Sequence, residues 1–274
     1  MKVRIWGARG SLSTPGATTI RYGGNTSCVE LRTPSGALVV LDAGTGIRNL
    51  GAAVAPERPK ELDLVLTHLH LDHIEGLGFF APLFDPECVV RIWGPHPVDG
   101  SLHDLLAAYL SPPYFPVPFE NIPAQISITE VGNESWELDG LRIQATTVRH
   151  PGTTLGYRLS QNGTSLAYIP DNEPGLDPES GLAVAGGADV LLHDAQYTDD
   201  EYASRVGWGH SAISHFVTYL AEAAPGRAVM FHHDPSHADS KLEEMLADIR
   251  ERSGGGLIEL AHEGLQLDLG AASD

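Results

Sequence analysis

Five short apolar runs in this chain each end in a histidine or an aspartate, and that repetition constrains the fold more than any other feature. Leu62–Leu66 runs into Thr67-His68-Leu69-His70-Leu71-Asp72-His73, Leu141–Val148 into Arg149-His150, and Ser165–Ile169 into Pro170-Asp171. Val190–Leu192 runs into His193-Asp194, and Ala228–Phe231 into His232-His233-Asp234. Apolar, β-branched runs of this length read as buried strands, beside which polar residues are costly unless used. A sheet whose strands end at one edge gathers such residues into one cleft. The cleft would hold imidazoles and carboxylates, the donors of zinc and similar divalent metals.

Further strand-like runs are Lys2–Trp6, Ser27–Thr33, Ala37–Leu41, Val89–Trp93, Gln125–Val131 and Leu155–Ser160, bounded by Gly or Pro. Leu102–Leu110, Ser211–Ala223 and Ser240–Arg252 read as helices, and Gly254–Gly256 as a connector to a terminal strand. Strands dominate the first two thirds, and strands alternate with helices in the last. The pattern predicts an α/β protein with two mixed sheets covered by helices, an αββα four-layer sandwich. No Ser/Gly linker or composition break divides the chain, so one domain over 1–274 is expected. Ser111–Pro123 (SPPYFPVPFENIP) is the one long irregular insertion. It reads equally as a lid or binding loop and as a cover over apolar surface.

Hydrophobic residues make up 42% of the chain, enough for a substantial core. Seventeen Lys and Arg stand against 36 Asp and Glu, a net charge of −19. Such a field repels phosphates and argues against a general nucleic-acid or anionic-membrane binder. Cys28 and Cys88 are too few for a disulfide framework and read as buried thiols. The N-terminus lacks a leader pattern, and no apolar run approaches the ~18 residues of a membrane span. A cytoplasmic protein with no membrane partner is expected.

Within the His-rich motif, His68 and His70 are two apart and can point the same way in an extended turn. Asp72 and His73 lie around the bend and can face a second ion. The HxHxDH motif, followed by separate His, Asp and His at strand ends, resembles the metallo-β-lactamase superfamily of binuclear metallohydrolases. Leu41-Asp42-Ala43-Gly44-Thr45-Gly46 is similar to that superfamily's first motif, and the likeness covers nearly the whole chain. The resemblance implies an αββα sandwich with two divalent ions at the sheet edge. It implies His68, His70 and His150 on one ion, Asp72, His73 and His232 on the other, and Asp171 bridging both. His233 competes with His232, which is preferred because it comes first after its strand. Asp42 would orient the HxHxDH loop. Zinc suits the set, and manganese and iron also fit.

Leu192-His193-Asp194-Ala195 and Gly207-Trp208-Gly209-His210-Ser211 are similar to the phosphodiesterase branch, which includes RNase Z and the phosphoribosyl cyclic phosphodiesterases. The resemblance implies an Asp194–His210 relay serving the leaving alkoxide, and Asp72, His210 and Asp194 as catalytic residues. The structural alternative is that His210 only caps the helix starting near Ser211. Two ions about 3.5–4 Å apart would share a hydroxide that attacks phosphorus. The expected function is a metal-dependent hydrolase of a small, cyclic-nucleotide-like phosphodiester. The alternatives are a lactone or thioester hydrolase, or a non-hydrolytic metal-binding protein of cofactor biosynthesis. RNase Z carries a basic arm for tRNA, whereas Ser111–Pro123 has no Lys or Arg, so no large nucleic acid is expected. A homodimer is possible.

Arg9, Arg21, Arg48, Arg149 and Arg205 lie in or beside the motif loops. The turn Gly23–Cys28 would offer backbone N–H groups to an oxyanion. Tyr114, Phe115 and Phe119 either stack on a base or pack down. Trp208 either walls the cleft or joins the core. His96, His103, His215, His237 and His262 read as surface or hydrogen-bonded residues.

Overall fold

In the computed structural model, which describes residues 1–270, the strand-like runs pair into two seven-stranded sheets. The first holds β1 (Lys2–Gly7), β2 (Cys28–Arg32), β3 (Leu38–Leu41), β4 (Glu61–Val65), β5 (Val89–Pro95) and β6 (Gln125–Val131). The second holds β7 (Ser135–Leu138), β8 (Leu141–Thr147), β9 (Leu155–Gln161), β10 (Thr164–Ile169), β11 (Val190–Asp194), β12 (Arg227–Phe231) and β13 (Ile258–Leu260). A final strand, β14 (Gln266–Asp268), returns to pair antiparallel with β1, Lys2 opposite Asp268. The orders are β14-β1-β2-β3-β4-β5-β6 and β13-β12-β11-β10-β9-β8-β7.

Burial follows position in the sandwich. β3 and β11 are buried at every residue, as strands covered on both faces must be. β6 and β7, at the sheet margins, alternate exposed and half-buried side chains. Between the sheets, Ile5, Leu31 and Leu41 share one core with Ile143, Tyr157, Leu166 and Phe231. The helices α1 (Gly46–Val54), α2 (Leu71–Ile74), α3 (Leu102–Tyr109), α4 (Leu182–Ala185), α5 (Asp199–Tyr202), α6 (Ile213–Ala223) and α7 (Asp239–Arg252) follow in order. α1 and α3 bury Ile47, Leu50 and Leu106 with the outer face of the first sheet. α6 and α7 bury Phe216, Leu242 and Ile249 against the second. The layers are α, β, β, α, as the sequence pattern predicts.

Several elements differ from expectation. α1 and β7 are additional to the expected elements: α1 spaces Ile47, Leu50 and Val54 as a helix but carries two glycines, and β7 is only four residues long. Gly51 permits the α1 contact, because a Cβ there would lie 2.8 Å from the Ala81 nitrogen. The helix expected from Ser211 begins instead at Ile213, because Ser211 is tied by its N–H to Asp194 and by its hydroxyl to the Asn172 carbonyl. The C-terminal region holds two short strands, one in each sheet, rather than one.

The insertion is anchored at both ends and open in the middle. Phe119 and Ile122 join the core under α3, and Phe115 packs on Gly78 and Phe79. Tyr114 remains 79% exposed. Both cysteines are free and buried. No helix of the described residues is long and apolar enough to cross a membrane.

The topology places the site. β3 and β4 run parallel, as do β10, β11 and β12, and β8 shares their direction through antiparallel β9. Their carboxyl ends lie at one edge. The first residues after β3 and β12, Asp42 and His232, both adopt left-handed backbone at φ 57°. That conformation costs a non-glycine residue about 1–3 kcal/mol. At these two strand ends it turns a polar side chain back toward the cleft.

Candidate metal centre

The HxHxDH loop hangs on one buried carboxylate. Asp42 accepts from the Thr67 N–H (2.8 Å), the Thr67 hydroxyl (3.0 Å) and the Tyr168 hydroxyl (2.8 Å). It also accepts from His73 Nδ1–H at 2.8 Å. Since a carboxylate only accepts, His73 carries its proton on Nδ1 and presents a bare Nε2. Thr67 in turn accepts from His68 Nδ1–H at 3.1 Å, which leaves His68 Nε2 bare as well. The short α2 then brings Asp72 round, and the Ser11 N–H donates to its Oδ2 at 2.7 Å.

The second sheet braces its histidines in the same way. His150 Nδ1–H donates to the Gly209 carbonyl at 2.8 Å. His232 Nδ1–H donates to Gln196 Oε1 at 2.9 Å. The Gln196 amide orientation is set by its other end, where Nε2 faces the Asp234 carboxylate at 3.4 Å.

These groups converge. His68, His70 and His150 have ligand atoms within 4.8 Å of one another, as do Asp72, His73 and His232, and His68, His73 and Asp171. Asp171 sits among both sets, 3.1 Å from His73 Nε2, 3.3 Å from His232 Nε2 and 3.6 Å from His150 Nε2. His73 Nε2 and His232 Nε2 face each other at 3.3 Å with both Nδ1 protons already committed. Facing lone pairs beside carboxylates repel unless cations lie between them. His68 Nε2 and Asp171 Oδ1 are buried with no hydrogen-bond partner. The donor set therefore fits divalent metal ions.

The titration shifts agree with that demand for positive charge. Burial opposes a charge on His73, but Asp171, Asp72 and Asp42 outweigh it and hold its pKa well above the ordinary value. Burial works against ionised Asp171, and His232, His73, His68 and His150 reverse this, holding it well below the carboxylate range. Burial lowers the His150 pKa to about 4 against the opposing pull of Asp171, so the ring is neutral.

Beside the trios, His210 Nδ1–H donates to Asp194 Oδ2 at 2.8 Å. Asp194 also accepts from the N–H groups of Gln196 (2.9 Å), Ser211 (3.2 Å) and Asn172 (3.3 Å). Its lone pairs are thus occupied by the chain, and it orients His210. The His210 ring stacks on His232 at 5.0 Å and meets His150 edge-on at 5.1 Å. Burial opposes its charge, but Asp194 outweighs it and raises the His210 pKa.

Other sequence candidates fall outside the cluster. His233 turns away and meets the Ala261 carbonyl at 2.9 Å, so His232 takes the shared place. His193 faces Phe216 and Tyr219 and pairs with Asn172. Three N–H groups of the Gly23–Cys28 turn are committed elsewhere. Those of Gly23, Asn25 and Thr26 bond to the Thr19 carbonyl, Glu263 and the Thr45 hydroxyl. Arg9 is a buried tie to the carbonyls of Gly23, Asp234 and His237, and Arg21 pairs with Glu243. Gln196, Ser11, Tyr168 and Glu173 were not anticipated. Gln196 follows Asp194 by two residues, and that adjacency was the only available signal.

A family model described as "Beta-lactamase superfamily domain" matches residues 38–233, spanning every strand end described above. The chain belongs to the beta-lactamase superfamily. Within the superfamily it is similar to the ribonuclease Z of Mycobacterium avium (strain 104), 26% identical over 253 residues, covering 83% of this chain and 86% of that protein. A diphosphatase of the PhnP family superposes with TM-score 0.71 at 21% identity, over 97% of each chain. Zn(2+)-bound PqqB from Methylobacterium extorquens superposes with TM-score 0.71 at 22% identity, over 98% of this chain and 100% of that one. This superfamily member is a metal-dependent hydrolase.

Proposed function

We propose that the protein is a binuclear metal-dependent phosphodiesterase acting on a small, cyclic-nucleotide-like phosphodiester. The observation that carries this reading is His210, oriented by Asp194 and stacked against the donor trios. His68, His70 and His150 would hold one ion, Asp72, His73 and His232 the other, and Asp171 both. Bound divalent ions, zinc foremost, supply an activated water and neutralise charge on phosphoryl oxygens. Asp194 fixes the proton on His210 Nδ1, so Nε2 is the atom that carries a proton to the leaving alkoxide. The Asp194 carboxylate favours the charged form of His210 needed for that donation. Ser11 and Asp42 hold Asp72 and His73 at fixed positions, so binding substrate requires little rearrangement of the cleft.

A second reading, RNA processing, is favoured by the relatives named ribonuclease Z. Against it stand the net charge of −19 and an insertion, Ser111–Pro123, without Lys or Arg. Phosphate contacts supply much of RNA affinity, and this surface is poor in the cations that make them.

Protein reconstituted with zinc, manganese or iron is expected to hydrolyse bis(p-nitrophenyl) phosphate and a 2′,3′-cyclic nucleotide. Absence of any phosphodiester turnover with all three metals overturns the reading. A kcat/KM for precursor tRNA above that for the small diesters replaces the substrate class.

A further inference from the structure

The loop Gly207–His210 runs past both donor trios. The Gly209 carbonyl holds His150, and a Cβ on Gly209 would lie 2.2 Å from the His150 Nδ1. From behind, the loop is pinned by Glu173, 1% exposed and two residues after Asp171. Glu173 accepts from the Gly207 N–H (2.7 Å), the Gly209 N–H (2.8 Å) and the Tyr202 hydroxyl (2.7 Å). This constrained backbone nevertheless leaves the Trp208 indole 59% exposed, two residues from His210.

A cation stands next to it. The Arg205 guanidinium lies 6.0 Å from the Trp208 ring centroid and 4.9 Å from that of Tyr197. Its Nη1 donates to the Glu201 carbonyl at 3.2 Å, and it makes no ion pair among the described residues. Tyr197 itself packs edge-on against His210, at 5.8 Å. Leu12 and Leu71, both exposed and each adjacent to a residue that forms or holds the Asp72 ligand, add apolar area at the mouth. An exposed indole beside an unpaired guanidinium is a surface on which a flat aromatic ring stacks favourably.

We infer that Trp208, flanked by Arg205, is the platform for an aromatic group carried on one ester arm of the substrate's phosphate, which selects nucleotide or aryl phosphodiesters over alkyl and sugar ones. The inference rests on the phosphodiester reading for the bond that is cut. Its test needs only binding.

Metal-loaded protein is titrated with adenosine 5′-monophosphate and with ribose 5-phosphate, following tryptophan fluorescence and calorimetry. Base stacking predicts that the nucleotide binds roughly 5- to 150-fold more tightly than the sugar phosphate. Trp208→Ala should abolish that preference while metal content stays constant, and Trp208→Phe should restore most of it. Equal binding of the two probes by the unaltered protein overturns the platform, as does no binding, or a preference that survives in Trp208→Ala. Turnover assays judge the phosphodiester reading separately, so the two can fail independently.

Discussion

The two donor trios share Asp171 but are braced differently. Asp72, His73 and His232 are all buried, and each leans on a strong partner: the Ser11 N–H, the Asp42 carboxylate and the Gln196 amide. His68, His70 and His150 form the more open set. His70 is exposed, His68 leans on a threonine hydroxyl, and His150 on a backbone carbonyl. Carboxylate backing raises imidazole basicity and fixes ring orientation. On that bracing, the buried trio would retain an ion more tightly, and the open trio would be the one to face substrate.

Asp171→Ala tests what the trios have in common and should have the largest effect. Both ions are expected to be lost, with activity falling beyond the roughly 10–100-fold typical of outer-partner changes. Elemental analysis that still finds one tightly held ion would make the trios independent. His210→Ala comes next. It should lower turnover by about 10²–10⁴-fold while both ions remain. A parallel loss of metal would turn His210 into a ligand.

The asymmetry itself is probed by competition with a chelator. In the unaltered protein the open trio is expected to release its ion first. Gln196→Ala should weaken only the buried trio, and Asp42→Asn that trio foremost with a smaller effect on His68 through Thr67, by roughly 10–100-fold in metal affinity, narrowing the gap between the two steps. Two release steps unchanged by either substitution would remove the bracing from the account.

Glu201, outside both trios, gives the smallest effect. Burial opposes its ionisation, but hydrogen bonds from His237 and Thr198 outweigh it and lower its pKa from 4.5 to about 2. A depressed carboxylate pKa contributes stability that is present above pH 4.5 and lost as the pH falls through 2. Glu201→Gln should therefore lower the melting temperature at neutral pH by on the order of 2–4 °C and flatten its acid dependence in that window. An acid melting profile identical to that of the unaltered protein would contradict the assignment.

Much of the site was legible because its chemistry is written at strand ends. His68, His70, Asp72, His73, His150, Asp171 and His232 each follow an apolar run, and parallel strands bring such ends together. The choice of His232 over His233 was legible only as an order along the chain, and left-handed backbone at His232 is what directs it inward. The bracing groups were not legible. Gln196 and Glu173 act through an amide and a carboxylate with no characteristic spacing, and Asn25 is satisfied by Glu263 from the far end of the chain. α1 was hidden because Gly46 and Gly51 lower helix propensity, and burial of Ile47, Leu50 and Val54 supplies what propensity lacks. Trp208 shows the same limit. Its neighbours placed it near the site, but only the Glu173 clamp shows why it faces water.

The pairing of β1 with β14 has a consequence for how the molecule comes into being. Met1 donates through its amino group to the Leu269 carbonyl, and Lys2 to Arg4 line up with Gln266 to Asp268. On the ribosome, then, β1 emerges long before β14, and that margin lacks its partner until the far strand follows. Until then the nascent sheet shows an unpaired edge, the kind of surface that templates aggregation. Contacts joined over such long sequence separations also fold slowly. Yield of active protein should accordingly depend on translation speed and chaperone supply more than the finished sandwich would suggest.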